Sequence, residues 1–217
     1  ACATGGLVFI DFGGTENPVG KKQVYDFSKE NIHICITDTK GSHADLTDDY
    51  VAIPADMKQI AEYFKKPYLR IVNEKMFYKA IPELREKYSD RAVMRAAHFF
   101  DENKRAIDEA AALENRDIFG FLAIVEESGM SSAKLLQNLY SPKNPLNQEI
   151  PLAIMASEKI LWGEGVVRVH GGGFAGTIQA FVPSCKLSEY KAEMDRLFGE
   201  ESCHEIKIRP LGGVKII

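Results

Sequence analysis

The sequence predicts an α+β fold: a ferredoxin-like split βαβ antiparallel sheet with a large inserted helical block. Three observations carry that expectation. Apolar residues alternate with period two in NIHICITD (31–38) and again on both sides of the glycines in VRVHGGGFAGTIQAFVP (167–183). From 74 to 162 the period is three to four, and nearly every segment reads as helix. One more helix separates the last two strand regions, so the order is strand, helical block, strand, strand, helix, strand, which is the split βαβ order.

Taken in order, the first strand is expected at 6–12 and its partner at 22–27, joined by the loop DFGGTENPVG. In 31–38 the residues Ile32, Ile34 and Ile36 alternate with His33, Cys35 and Thr37, which puts the isoleucines on one face. The turn KGSHADLTDDY follows. Pro54 suits a first helical position, and Met57, Ile60, Ala61 and Phe64 repeat at helical spacing, so a helix is expected over 54–65. The block then reads as helices at 74–79, 81–88, 90–114, 117–127, 131–140 and 149–161, broken where Pro82, Gly129, Pro142 and Pro145 fall. Strands are expected around 167–169 and 178–182, where Pro183 ends the run. A helix at 186–198 and one or two strands in CHEIKIRPLGGVKII close the chain.

Composition excludes several classes of function. The 217 residues are 45% hydrophobic and 27% charged, an ordinary globular balance without a low-complexity tract. A net charge of -4 gives no field for a polyphosphate backbone, and nucleic acid is not an expected partner. No run reaches the length of a membrane span, and ACATGGLVFIDF lacks the order of a signal peptide, so the expected location is the cytoplasm. Cys2, Cys35, Cys185 and Cys203 show no CxxC spacing and are expected as reduced, mostly buried thiols. A chain that opens on Ala1 and runs at once into GLVFIDF reads as cut from something longer.

The polar motifs each have a plain alternative. Gly171, Gly173 and Gly176 satisfy GxGxxG, but a strand follows where a dinucleotide fold needs a helix N-terminus. GGGFAGT has no Gly-Lys-Ser/Thr, so it is no P-loop either. What remains is strand, glycine loop, strand: a plain hairpin, or a nest of backbone N–H groups for an anion. Asp11-Phe12-Gly13 spells the kinase DFG, yet it precedes the glycine loop, in the wrong order for a protein kinase. Ser131 and Lys134 have SxxK spacing without its companion signals, and Ser131 reads as a helix N-cap. His98, Glu102 and Arg105 share a helix face without a third metal ligand, which suggests an ion pair at the surface or between helices. Asp45, Asp48, Asp49 and Tyr50 lie in a turn between a buried strand and a helix, serving as ligand contacts or only as helix-capping charge.

Several stretches together resemble one family. LVFIDF, ICITDTKGSHADLTDDY, RAAHFFDENKRAIDEAAAL, ESGMSSAKLLQN, RVHGGGFAGTIQAFVP and IRPLGGV stand, in that order, as in the C-terminal half of a bacterial galactokinase of the GHMP kinase superfamily. The resemblance implies transfer of the γ-phosphoryl of ATP, with Mg2+, to the anomeric hydroxyl of galactose. It implies that residues 1–30 are the trailing strands of an N-terminal domain, and that 31–217 form the GHMP kinase C-terminal domain with its helical insertion at about 74–162. The family's catalytic aspartate, its N-terminal sugar signature and its Gly-Leu-Ser-Ser-Ser-Ala phosphate loop match nothing in this chain; GMSSA at 129–133 only mimics the last. The fragment alone is therefore expected to be inactive, to meet ATP and Mg2+ mainly through its own N-terminal domain, and to carry no metal ligands. Tyr50 matches the family's sugar-contacting tyrosine. Gly171, Gly172, Gly173 and Gly176 match its third motif, with departures at His170, Ala175 and Thr177. A non-catalytic, galactokinase-like sugar sensor is the alternative.

Overall fold

The computed structural model describes residues 6–13, 19–42, 44–209 and 211–212. Strands β1 (Leu7–Asp11) and β2 (Val19–Gln23) form an antiparallel pair of their own. The second strand thus lies earlier than the expected 22–27. Asp26 accepts from the backbone N–H and the hydroxyl of Ser28, which favours a 3-10 turn at Phe27–Glu30 over an extended chain.

The main sheet has four strands in the order β4-β5-β3-β6, all antiparallel: β3 (Ile32–Asp38), β4 (Val166–Val169), β5 (Thr177–Pro183) and β6 (Cys203–Ile206). With the helical block between β3 and β4, and a helix between β5 and β6, this is the expected split βαβ arrangement. The sheet is buried on both faces. Ile32 and Ile34 pack with Phe27, Phe121 and Phe181 on one side. Cys35 shares the other face with Ile150, Ile178, Tyr190 and Met194, and Thr37 is fully buried. Ile32 and Ile34 share a face, as their alternation predicts. Helices cover both faces, and Cys35 and Thr37 are small enough to sit beneath one of them.

Helix α1 (Thr47–Tyr63) starts seven residues before Pro54, which sits inside it. Proline there withholds an N–H from the carbonyl of Tyr50, but the rest of the helix buries Ile60 and Ala61 against its neighbours and tolerates the loss. Likewise α2 (Glu74–Lys87) is continuous through Pro82, where a break is expected from sequence. Its start is capped by Asn73, which accepts from the Met76 N–H. Helix α3 (Asp90–Glu114) matches its expected range, with Ser89 as its cap. Helix α4 (Ile118–Ser131) passes through Gly129, where a Cβ would lie 3.1 Å from the Cβ of Arg168 and 3.3 Å from the carbonyl of Val167. That glycine permits close approach of helix to strand and does not break the helix.

No helix spans 131–140. A single π-helical turn, Ser132–Leu136, ends at Gln137 in the left-handed region, with φ 58°. Helices α5 (Glu149–Leu161) and α6 (Leu187–Phe198) fall where expected. Cys35 and Cys203 are buried and Cys185 is exposed, so two of the three described thiols are buried, in keeping with the expectation; Cys2 lies outside the described residues. No helix of the described residues is long and apolar enough to cross a membrane.

Candidate functional site

The glycine segment is a turn between β4 and β5, the hairpin left open as one of two readings, and it closes with His170 N–H donating to the Thr177 carbonyl at 3.0 Å. Gly171, Gly173 and Gly176 all adopt positive φ, at 71°, 79° and 95°, a region costly for residues with a Cβ. Phe174, at φ 61°, bears that strain with a buried ring in return.

Three segments distant in sequence meet on this turn. Thr39, continuing from β3, donates to the Gly176 carbonyl through its N–H at 2.8 Å and its hydroxyl at 2.7 Å. The first turn of α1 delivers Tyr50, whose phenol donates to the Gly173 carbonyl at 2.9 Å. Its ring lies so near Gly172 that a Cβ there would be 2.8 Å from Cε1, and it meets Phe174 edge-on, with centroids 5.4 Å apart. From the segment after the π turn, the Asn138 carbonyl accepts from the Phe174 N–H at 2.5 Å and its side-chain amide donates to the Gly172 carbonyl at 3.1 Å. A Cβ on Gly173 would collide with the Asn138 carbonyl.

Buried polar pairs hold that segment to α1. Asp49 accepts from the Ser141 hydroxyl at 2.6 Å. Asp56, also buried, accepts from Arg95 and Arg91, both at 2.8 Å. Arg95 in turn donates to the Leu136 carbonyl at 3.1 Å, two residues before Asn138. Burial pulls the Arg95 pKa down, and neighbouring Arg91 adds to that, while Asp56 opposes both. At the surface Lys143 pairs with Asp48 at 2.6 Å, and that bond holds the Asp48 carboxyl below its ordinary range. A cavity of about 320 Å³ opens beside the turn, lined by Ser42, Asp45, Ser141, Lys143, Asn147 and Phe174 among others.

Sequence-predicted residues divide accordingly. Tyr50, Gly171, Gly172, Gly173 and Gly176 come together. Asp48, Asp49 and Tyr50 belong to the first turn of α1 and not to the expected loop; Asp45 stands before it with φ 62°. His98, Glu102 and Arg105 form an inter-helix network elsewhere: His98 is buried with Nδ1 2.9 Å from the Ser131 hydroxyl, and Glu102 accepts from Ser128 and Arg105 and faces Arg168. Ser131 therefore ends α4 and engages a histidine, not a lysine base. Asp11 of the DFG triplet pairs with Arg70 at 2.8 Å. Asn138, Thr39 and Arg95 had no local signal, since their partners are 34, 137 and 39 residues away.

Gly129–Ser131 are helical and Ser132–Ala133 enter the π turn, so that backbone is not an open loop of N–H groups. Among the described residues no three His, Cys, Asp or Glu side chains gather where they could hold a metal ion.

No protein-family model matches the chain. A galactokinase from Actinobacillus succinogenes is 28% identical over 158 residues, 73% of this chain and 39% of that protein. One from Haemophilus influenzae is 26% identical over 162 residues, 75% of this chain and 40% of that protein. Both of these relatives are galactokinases. The chain spans about two-fifths of the length of these relatives. The fold agrees: the Lactococcus lactis galactokinase solved with galactose superposes with a TM-score of 0.69 at 16% identity, covering 98% of this chain and 54% of that one. In this galactokinase-like chain the glycine turn is a sheet hairpin pinned by Tyr50, Asn138 and Thr39.

Proposed function

We propose that this chain is the C-terminal part of a galactokinase, which in its complete form transfers the γ-phosphoryl of ATP to the anomeric hydroxyl of galactose. The observation that carries the reading is the junction of Tyr50 with Gly172 and Gly173. The residue and the motif that the resemblance singles out, 123 residues apart, share one hydrogen bond and one van der Waals surface. A phenol fixed on a turn of close-packed glycines is held at a defined place, as a wall for the sugar.

In this reading residues 1–30 belong to the preceding domain, in keeping with the separate pairing of β1 and β2, and 31–217 form the C-terminal domain with its insertion at about 74–162. ATP and Mg2+ are held mainly by residues outside the chain, where the catalytic carboxylate and the serine-rich phosphate loop also belong. Gly171, Gly172, Gly173 and Gly176 allow the backbone to approach that phosphate loop closely, and phosphoryl transfer itself needs positioning and charge neutralisation from both parts. The 217 residues alone transfer no phosphate.

The test is product formation. The full-length protein, given MgATP and galactose, forms galactose 1-phosphate and ADP in equal amounts. Binding of galactose without any product would instead make it a non-catalytic sugar sensor.

A further inference from the structure

The residue that organises the glycine turn is Asn138. Its carbonyl takes the Phe174 N–H and fills the space a Cβ on Gly173 would need. Its side-chain amide donates to the Gly172 carbonyl. The peptides flanking Gly173 are thus gripped from one side by a single residue, while Tyr50 bonds the Gly173 carbonyl. Asn138 is delivered by left-handed Gln137, at φ 58°, and by Leu136, whose carbonyl Arg95 holds. Arg95 pairs with Asp56 of α1, the helix that carries Tyr50. One helix therefore sets both the phenol and the peg.

The amide is also kept at a cost. Asn138 is only 2% exposed, and its Oδ1 has no hydrogen-bond partner. Burying an acceptor without a donor is unfavourable, and an apolar side chain would avoid it. The donor to Gly172 is what an apolar residue could not supply.

We propose that Asn138 is the positioning residue of the glycine turn, holding Gly172 and Gly173 in the geometry on which Tyr50 and the sugar are registered. Its kinetic consequence rests on the galactokinase reading; its structural consequence does not.

Two variants test it. N138A removes the donor, and N138D is isosteric but presents a carboxylate to the Gly172 carbonyl. In this chain, amide exchange protection of Phe174 falls about tenfold or more in both at pH 8, while that of Ala153, inside α5, and Val182, on β5, is unchanged. In N138D it returns below about pH 5, where the protonated carboxyl can donate as the amide did. In the full-length protein, turnover on galactose in N138D follows the same pH course, lost at pH 8 and recovered on acidification relative to wild type. Unchanged protection at Phe174, or a loss in N138D equal at every pH, overturns the proposal. If the wild-type protein makes no sugar phosphate, the galactokinase reading falls, and the exchange arm still decides the role of Asn138.

Discussion

The Tyr50 phenol donates to the carbonyl of Gly173 at 2.9 Å, and this bond joins the first turn of α1 to the turn between β4 and β5. It joins Tyr50 and the glycine turn, the residue and the motif that the resemblance singles out, into one hydrogen-bonded unit. Several expected outcomes follow from how that unit is built.

Glycines in the turn differ in what a side chain would meet. Gly171 has φ 71° but open space around its missing Cβ, so Gly171→Ala costs only the left-handed strain, about 1–2 kcal/mol. At Gly173 the same strain adds to a collision with the Asn138 backbone, and Gly173→Ala is expected to cost more than about 3 kcal/mol. Urea denaturation of the two variants checks the order; equal midpoints would mean that the Asn138 contact is not rigid.

Asp56 takes charge from Arg91 and Arg95 in a buried setting, and removing one member of such a pair strands the others. Asp56→Ala is expected to destabilise by about 3–5 kcal/mol. Replacing Asp48, exposed and bonded to Lys143, is expected to leave the melting temperature close to that of the wild type. Thermal denaturation of both variants separates the buried charge from the surface one.

His98 gives the domain an acid sensitivity. Burial lowers its pKa from 6.5, with Glu102 opposing and Arg105 and Arg168 adding to the effect. The folded state thus holds the ring neutral, while the unfolded chain takes up a proton below about 6.5, so stability is complete above that pH and falls as pH drops toward the folded pKa. Glu102 is lowered below 4.5 despite its burial, by its bonds from Ser128 and Arg105, and its contribution is lost at still lower pH. In His98→Gln the decline between about pH 6.5 and 5 should flatten, as measured by urea midpoints across that range.

Cysteine burial predicts reactivity. Cys185 is expected to label with a thiol reagent in the native protein, and Cys35 and Cys203 only on unfolding. The Cys35 thiol is pushed well above its ordinary range by its contact with Cys203 and by burial, which leaves little thiolate to react. Mass mapping of labelled peptides distinguishes the three.

The β3, β4 and β5 strands, α3, α5 and the order of elements were legible because a period of two or four, with a cap or a proline at its end, is a local signal. Pro54 and Pro82 misled because tertiary burial of Ile60, Phe77 and Leu84 outweighs one lost hydrogen bond in each helix. Gly129 misled because only the strand packed against α4 reveals why it is glycine. Local chemistry marked Tyr50 and the glycines as candidates but left a plain alternative for each, and only resemblance to a family favoured the functional one. Asn138 closes ESGMSSAKLLQN, a stretch that resembles the family, but neither the resemblance nor local chemistry gave it a role, because its partners are set by the fold.

The account rests on Tyr50 standing at the sugar site on its glycine turn, and steady-state kinetics of Tyr50→Phe in the full-length protein test this most directly. Loss of one hydrogen bond, about 0.5–1.5 kcal/mol, predicts a fall of roughly two- to twelvefold in kcat/KM for galactose with the KM for ATP little changed. Wild-type kinetics for galactose in that variant would contradict it.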